Sequence, residues 1–189
     1  MDIVGKFEKI SYEQFKKDLE ANYQINNEKD IKEIYNNISI PQRSTNGSAG
    51  YDIIFPWAKL QYNGYNNYIP IVPSGYLSGK SSLVVLTGLK CKIEDGWFLD
   101  IRPRSGSGFK YGIRLANTTG IIDSDYYNNP NNEGHIMIKL VHDGSVVLDV
   151  FKLEIGKAFA QGIFLPYGIT EDDHLQEKQT RSGGFGSTS

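Results

Sequence analysis

Four polar stretches carry residue types that plain strands and turns do not need. They are Ser48-Ala49-Gly50-Tyr51-Asp52-Ile53, Pro103-Arg104-Ser105-Gly106-Ser107-Gly108, Asn117-Thr118-Thr119-Gly120-Ile121-Ile122-Asp123-Ser124-Asp125-Tyr126 and Arg181-Ser182-Gly183-Gly184-Phe185-Gly186-Ser187-Thr188. In the second, Arg104 supplies a guanidinium, Ser105 a hydroxyl, and the glycines leave backbone N–H groups accessible. Donors of that kind converge on an anion, and phosphate is the natural guest. In the third, the Asn117 amide offers a donor beside an acceptor, which suits the edge of a nucleobase. Asp123 sits between Ile122 and a Ser-Asp turn, a fixed carboxylate able to accept a proton from water. Taken singly, each stretch has a plainer reading. Arg-Ser-Gly and Asp-Ser-Asp are common turn chemistry, and a Gly-rich tail is ordinarily disordered.

Several other chemistries are excluded. Gly79-Lys80-Ser81 lacks the earlier glycine of a P-loop, because that position is Ser74, and it runs into a strand-like segment instead of a helix. Gly106-Ser107-Gly108 is no dinucleotide fingerprint, since the third glycine, Gly112, comes one place late. No serine lies in a G-x-S-x-G elbow. His135 and His142, seven apart on one expected strand, point to opposite faces and are expected to face solvent or the core edge, not a shared metal. Cys91 is the single cysteine, which removes an internal disulfide and a cysteine-rich metal site.

The elements that must position these residues divide the 189-residue chain in two. Ser11 with Gln14 forms a capping box ahead of Tyr12, Phe15 and Leu19; Asn27 opens a second helix whose Ile31, Ile34, Tyr35 and Ile38 share one face, and Pro41 stops it. Residues 1–41 are therefore expected to be a helical appendage that packs on the main body. From Tyr51 the texture changes to short β-rich runs between Gly, Pro, Asn and Asp clusters, predicting strands at 51–55, 68–72, 83–93, 97–102, 135–142, 146–153 and 159–165. Gly88 marks a bulge or bend within the long run. Strands without interleaved helices predict an all-β antiparallel sandwich, jelly roll or barrel over 42–179, with 180–189 as a tail. A formal charge of −2 argues against bulk binding to nucleic acid or an anionic membrane, and 12% aromatic residues supply a core. The start shows no signal-peptide stretch and no run is long enough to span a bilayer, which predicts a soluble cytoplasmic protein.

In this order, the motifs resemble those of the homotrimeric dUTPase family from Ser48 to Thr188. Ala49-Gly50-Tyr51-Asp52, Pro103-Arg104-Ser105-Gly106, Gly120-Ile121-Ile122-Asp123-Ser124-Asp125-Tyr126 and Gly183-Gly184-Phe185-Gly186-Ser187-Thr188 carry the likeness, and Gly156 with Ala160-Gln161 matches in part. The resemblance implies a jelly-roll or distorted β-barrel trimer with active sites shared between subunits. It implies hydrolysis of dUTP to dUMP and pyrophosphate, with Mg2+ held mainly by the triphosphate, which limits uracil in DNA and supplies dUMP for dTMP synthesis. By the match of motifs, Asp123 would be the general base and Tyr126 would lie against the deoxyribose, rejecting ribonucleotides. Asn117 and the backbone of its hairpin, including Gly120, would read uracil. Arg104, Ser105, Gly106 and Gln161 would bind phosphates. Phe185 would stack over the base as the 180–189 arm closes, while Arg181, Gly186, Ser187 and Thr188 would cover the phosphate chain. No membrane or direct nucleic-acid partner is expected.

The chain departs from the family pattern at four places. Ala158, with Lys157 beside it, stands where the fourth motif has an arginine; the last motif is one residue short between Arg181 and Gly183; Tyr127-Asn128 replaces Arg-Gly; and Asn129-Pro130-Asn131-Asn132 reads as an inserted loop. Two alternatives stand beside the hydrolase. One is a deoxycytidine triphosphate deaminase, or a bifunctional deaminase and diphosphatase, which shares the fold; the other is a dUTPase-like regulatory protein that binds the nucleotide as a switch.

Overall fold

Ser11 starts the first helix by the mechanism its sequence suggests: its hydroxyl accepts the Gln14 N–H at 3.1 Å, and α1 runs Tyr12–Tyr23. Asn27 does the same for α2, Glu28–Asn37, accepting the N–H groups of Lys29 and Asp30. The computed structural model describes residues 2–56, 60–62, 68–70, 76–77, 82–142, 151–153 and 156–175. Ahead of the helices lies an element that sequence reading misses, strand β1 (Gly5–Lys9).

The remaining strands are β2 (Gln42–Arg43), β3 (Tyr51–Ile54), β4 (Leu60–Tyr62), β5 (Tyr68–Pro70), β6 (Tyr76–Leu77), β7 (Ser82–Leu86), β8 (Leu89–Ile93), β9 (Trp97–Pro103), β10 (Ile113–Leu115), β11 (Gly120–Ile122), β12 (Met137–His142), β13 (Phe151–Lys152) and β14 (Ala158–Pro166). Their pairings among the described residues are antiparallel. One sheet runs β11-β9-β14-β3-β2, a second runs β10-β12-β7, and β1 pairs with β8. This is the mostly-β, distorted jelly-roll architecture that the strand pattern predicts. The expected strands at 71–72 and 146–150 lie outside the described residues.

The long run at 83–93 is two strands, because Gly88 takes φ +70° and turns the chain from β12 as a partner to β1. Alanine would not fit there. A Cβ on Gly88 would stand 2.2 Å from Ile38 Cδ1 and 3.3 Å from Phe15 Cε2. Those contacts place the helices directly on the strand junction. Phe15, Leu19, Ile31 and Ile34 share one buried cluster with Leu83, Val85 and Leu99, each such side chain adding roughly 2 kcal/mol of apolar burial.

A third helix, α3 (Ser105–Tyr111), occupies what reads in sequence as a loop. Arg104 precedes it in extended conformation, and Gly112 ends it in the left-handed region, donating to Gly108 and Ser107 carbonyls. The two histidines also correct the sequence reading. His135 lies ahead of β12 and His142 closes it, and both are buried, at 0% and 2% exposure, not solvent-facing.

Candidate functional site

Strand β9 is the axis of the site, and its register explains where each motif falls. Gly120, Ile121 and Ile122 of β11 pair with Ile101, Asp100 and Leu99. The turn from β10 to β11 therefore stands near Arg104, while Asp123 emerges at the opposite end of β11. Asp100 is 2% exposed, between the buried Leu99 and Ile101 of β9. Its carboxylate accepts the Thr119 hydroxyl and, at 2.6 Å, the Arg102 Nε–H, which satisfies the buried charge. Thr119 also reaches the Ile101 carbonyl at 3.3 Å, so its hydroxyl pins the turn to β9.

That turn is tight. Thr118 sits at φ +67°, the Thr119 N–H donates to the Asn117 carbonyl at 2.7 Å, and Ala116 N–H reaches Lys139 of β12 at 2.8 Å. Asn117 is left exposed at the tip. Together with Gly120, Ile122, Leu115, Met137 and Lys139 it lines a cavity of about 120 Å³. The walls are apolar except at the turn and at Lys139, which is the composition of a site for a flat ring with one hydrogen-bonding edge. Gly120 makes room for it by lying close on β9: a Cβ there would stand 3.1 Å from Ile101 Cβ.

Asp123 directly follows Ile122 of the cavity wall, half-buried in extended conformation at φ −82° and ψ 159°. Its carbonyl accepts the Tyr126 N–H at 3.2 Å, closing the short 3-10 turn Ser124–Tyr126. Tyr126 itself is buried, at 4% exposure, with its hydroxyl donating to the His135 carbonyl at 3.1 Å.

A second group forms at the other end of β9. Arg104 Nε stands 3.7 Å from Asp52 Oδ1, and Gln161 of β14 pairs in register with both Arg102 and Asp52. Gly50 accommodates the Gln161 side chain, since a Cβ on Gly50 would stand 2.6 Å from Gln161 Oε1. The first, second and fourth motifs thus meet around Arg104, Asp52 and Gln161. Ser105 and Gly106 open α3, ahead of its first intrahelical N–H donors, Ser107 and Gly108, which bond to Arg104 O at 3.0 and 3.1 Å. Ala158 begins β14, while the exposed Lys157 beside it holds Phe55 N–H through its carbonyl at 2.8 Å. Arg181, Phe185, Gly186, Ser187 and Thr188 lie outside the described residues.

Sequence reasoning missed Asp100, Thr119, Met137 and Lys139. A lone carboxylate in Phe98-Leu99-Asp100-Ile101 was the available signal for the first; Thr119 becomes visible only through its bonds to Asp100 and Ile101 of β9, and Met137 and Lys139 only once β12 is seen to flank the cavity.

Comparison with known proteins shows which family the chain resembles. The family described as dUTPase matches residues 36–189. A deoxyuridine 5'-triphosphate nucleotidohydrolase of Lactococcus lactis subsp. lactis (strain IL1403) is 39% identical over 153 residues, 80% of this chain and 88% of the relative. One from Brucella melitensis biotype 2 is 36% identical over 154 residues, covering 80% of this chain and 85% of its own. Among solved structures, the dUTPase from Streptococcus mutans superposes with a TM-score of 0.57 at 28% identity, covering 87% of this chain and 98% of that one. A mutant of the Staphylococcus bacteriophage 80alpha dUTPase, at 16% identity and a TM-score of 0.57, shares the fold over 94% of this chain and 99% of its own.

Proposed function

This chain belongs to the dUTPase family, and we propose that Asp123 is the general base with which it splits dUTP. It is a dUTP diphosphatase, releasing dUMP and pyrophosphate. One observation carries the assignment of roles: β11 lines the cavity through Gly120 and Ile122 and then runs straight into Asp123. A uracil seated against Asn117 and Gly120 leaves its sugar and α-phosphate toward the Asp123 end of the strand. There the carboxylate orients a water and takes its proton as the water attacks phosphorus. By the motif match, Tyr126 would lie against the deoxyribose, where a 2′-hydroxyl would collide with it.

Phosphate binding falls to Arg104, Ser105 and Gly106, with Gln161 beside them, through a guanidinium, a hydroxyl and backbone N–H groups. These groups fit the negative charge of a triphosphate, and Mg2+ is assigned to the triphosphate's own oxygens, where it neutralises charge when bound. By the motif match, Arg181, Phe185, Gly186, Ser187 and Thr188 would cover the base and the phosphate chain and exclude water from the filled site.

Register along β9 supports a site shared between copies. Asp123 emerges one residue past the Ile122–Leu99 pair, at the level of Phe98. From Phe98 to Arg104 the strand advances six residues, roughly 20 Å at ~3.3 Å each. A phosphate chain held at Arg104 does not reach the same chain's Asp123. The base of one protomer and the phosphate donors of another would complete each site, as a homotrimer provides.

No described helix is long and apolar enough to cross a membrane, and the cytoplasm is the proposed location. The relatives above are nucleotidohydrolases, which disfavours the deaminase and regulatory alternatives. Pyrophosphate release measured across dUTP, dCTP, dTTP and UTP tests the reading. Only dUTP should turn over well, and Asp123→Asn should lose turnover by about a thousandfold while still binding nucleotide. Activity within about tenfold of the parent would remove Asp123 from the role.

A further inference from the structure

The family match begins at residue 36, so α1 is an element outside the matched domain. It nevertheless grips the segment that follows Asp123. Two residues of that segment, Glu133 and His135, bond to the N-cap of α1 and to a residue of α1 seven positions further on. Ser11, the N-cap, donates its N–H to Glu133 Oε2 at 2.9 Å and its hydroxyl to Glu133 Oε1 at 2.5 Å. Asp18 Oδ2 stands 2.6 Å from His135 Nδ1. A spacing of seven is two helical turns, about 10 Å along one face, so the helix offers a rigid two-point mount.

The second mount is buried, His135 completely, and its polarity is fixed. Gly88 N–H donates to His135 Nε2 at 2.9 Å, so that nitrogen is unprotonated and Nδ1 carries the hydrogen given to Asp18. Gln14 Nε2 holds the other Asp18 oxygen at 2.9 Å. From His135 the connection runs on to the site: its carbonyl accepts the Tyr126 hydroxyl, which in turn accepts from Asn132 Nδ2 at 2.7 Å. Between the two mounts, Gly134 at φ +78° presses against Tyr126, for a Cβ there would stand 2.4 Å from the Tyr126 carbonyl oxygen. Tyr126 N–H closes the turn onto Asp123.

We infer that α1 sets the position of the Asp123–Tyr126 turn, with Asp18 and His135 as positioning residues and Glu133 as the second anchor. The inference rests on the roles assigned above to Asp123 and Tyr126. A merely structural α1 would lower stability when loosened and leave the chemistry of folded enzyme unchanged. A positioning α1 acts on kcat, because a displaced base misses its near-attack geometry while the uracil cavity stays intact.

The test compares the full-length parent with Asp18→Ala, Asp18→Asn and Glu133→Ala, well below each melting temperature, with dUTP and UTP. Asp18→Ala should lower kcat by about tenfold to a hundredfold, keep KM for dUTP within about threefold, and weaken the rejection of UTP. Asp18→Asn should recover kcat to within about threefold of the parent, since its carbonyl still accepts the His135 Nδ1–H. If Asp18→Ala does not fold, Glu133→Ala, which cuts a partly exposed contact, should lower kcat by about tenfold. Unchanged kcat and UTP rejection in the folded variants, with only the melting temperature reduced, overturns the inference. An Asp18→Asn variant no better than Asp18→Ala overturns it as well. Tyr126→Ala separates this from the underlying reading: unchanged UTP rejection there removes the sugar contact, while a kcat loss in Asp18→Ala still reports on Asp123.

Discussion

Arg104 and Asp52 meet at 3.7 Å, a contact loose enough to leave most of the guanidinium's N–H donors available. The pair joins the second motif to the first and restrains a long side chain that would otherwise sample many rotamers above the opening of α3.

The restraint predicts a binding effect with little cost in stability. Asp52→Ala should raise KM for dUTP several-fold, because Arg104 must then be ordered by the substrate at about 1 kcal/mol or more. The pair is half exposed, so the melting temperature should move by no more than about 3 °C. Steady-state kinetics with dUTP and a thermal melt check both halves. A KM that falls would mean that Asp52 competes with phosphate for Arg104 and does not orient it.

How far the sequence revealed this arrangement depended on how local each cause was. Ser11 and Asn27 were legible as caps because the groups they satisfy lie two or three residues away. The long strands were legible from their composition. β10 and β11, three residues each, were not, because they are ordered by β12 and β9 across the chain. α3 was hidden by Ser105-Gly106-Ser107-Gly108, a poor helix former whose preceding Arg104 makes no side-chain capping bond. Asp18 and His135 are 117 residues apart, and nothing in either neighbourhood announces the other. Gly88 was read as a bend and proved to be the junction on which the helices sit.

Gly120 gives a second prediction, from space alone. It faces Ile101 in the ladder, and a methyl group added there would stand 3.1 Å from Ile101 Cβ, tighter than ordinary contact. β11 is an edge strand and would yield by moving away from β9. Asn117 and Asp123 flank that strand, so both ends of the proposed site move with it. Gly120→Ala should cost about 1–3 kcal/mol of stability and lower kcat/KM for dUTP by about tenfold or more. Parent-like kinetics and melting would show that the cavity wall tolerates the added group.

Cys91 supplies a prediction about pH. It lies on β8 at 1% exposure, and burial pushes its thiol from 9.0 up to about 12. Tyr23, whose hydroxyl donates to the Val84 carbonyl, is likewise pushed by burial from 10.0 to about 12. Both groups keep their proton in the folded chain over a range where the unfolded chain releases it. The unfolded state then binds fewer protons, so stability is complete below pH 9 and falls as the pH rises toward 12. Denaturant melts at stepped alkaline pH should show that decline, with a shallower slope in Cys91→Ala. The same burial should keep the native thiol from reacting with a disulfide reagent at pH 8 while urea-unfolded chain reacts within minutes. Rapid labelling of folded protein would place Cys91 at an accessible surface and remove its share of the alkaline loss.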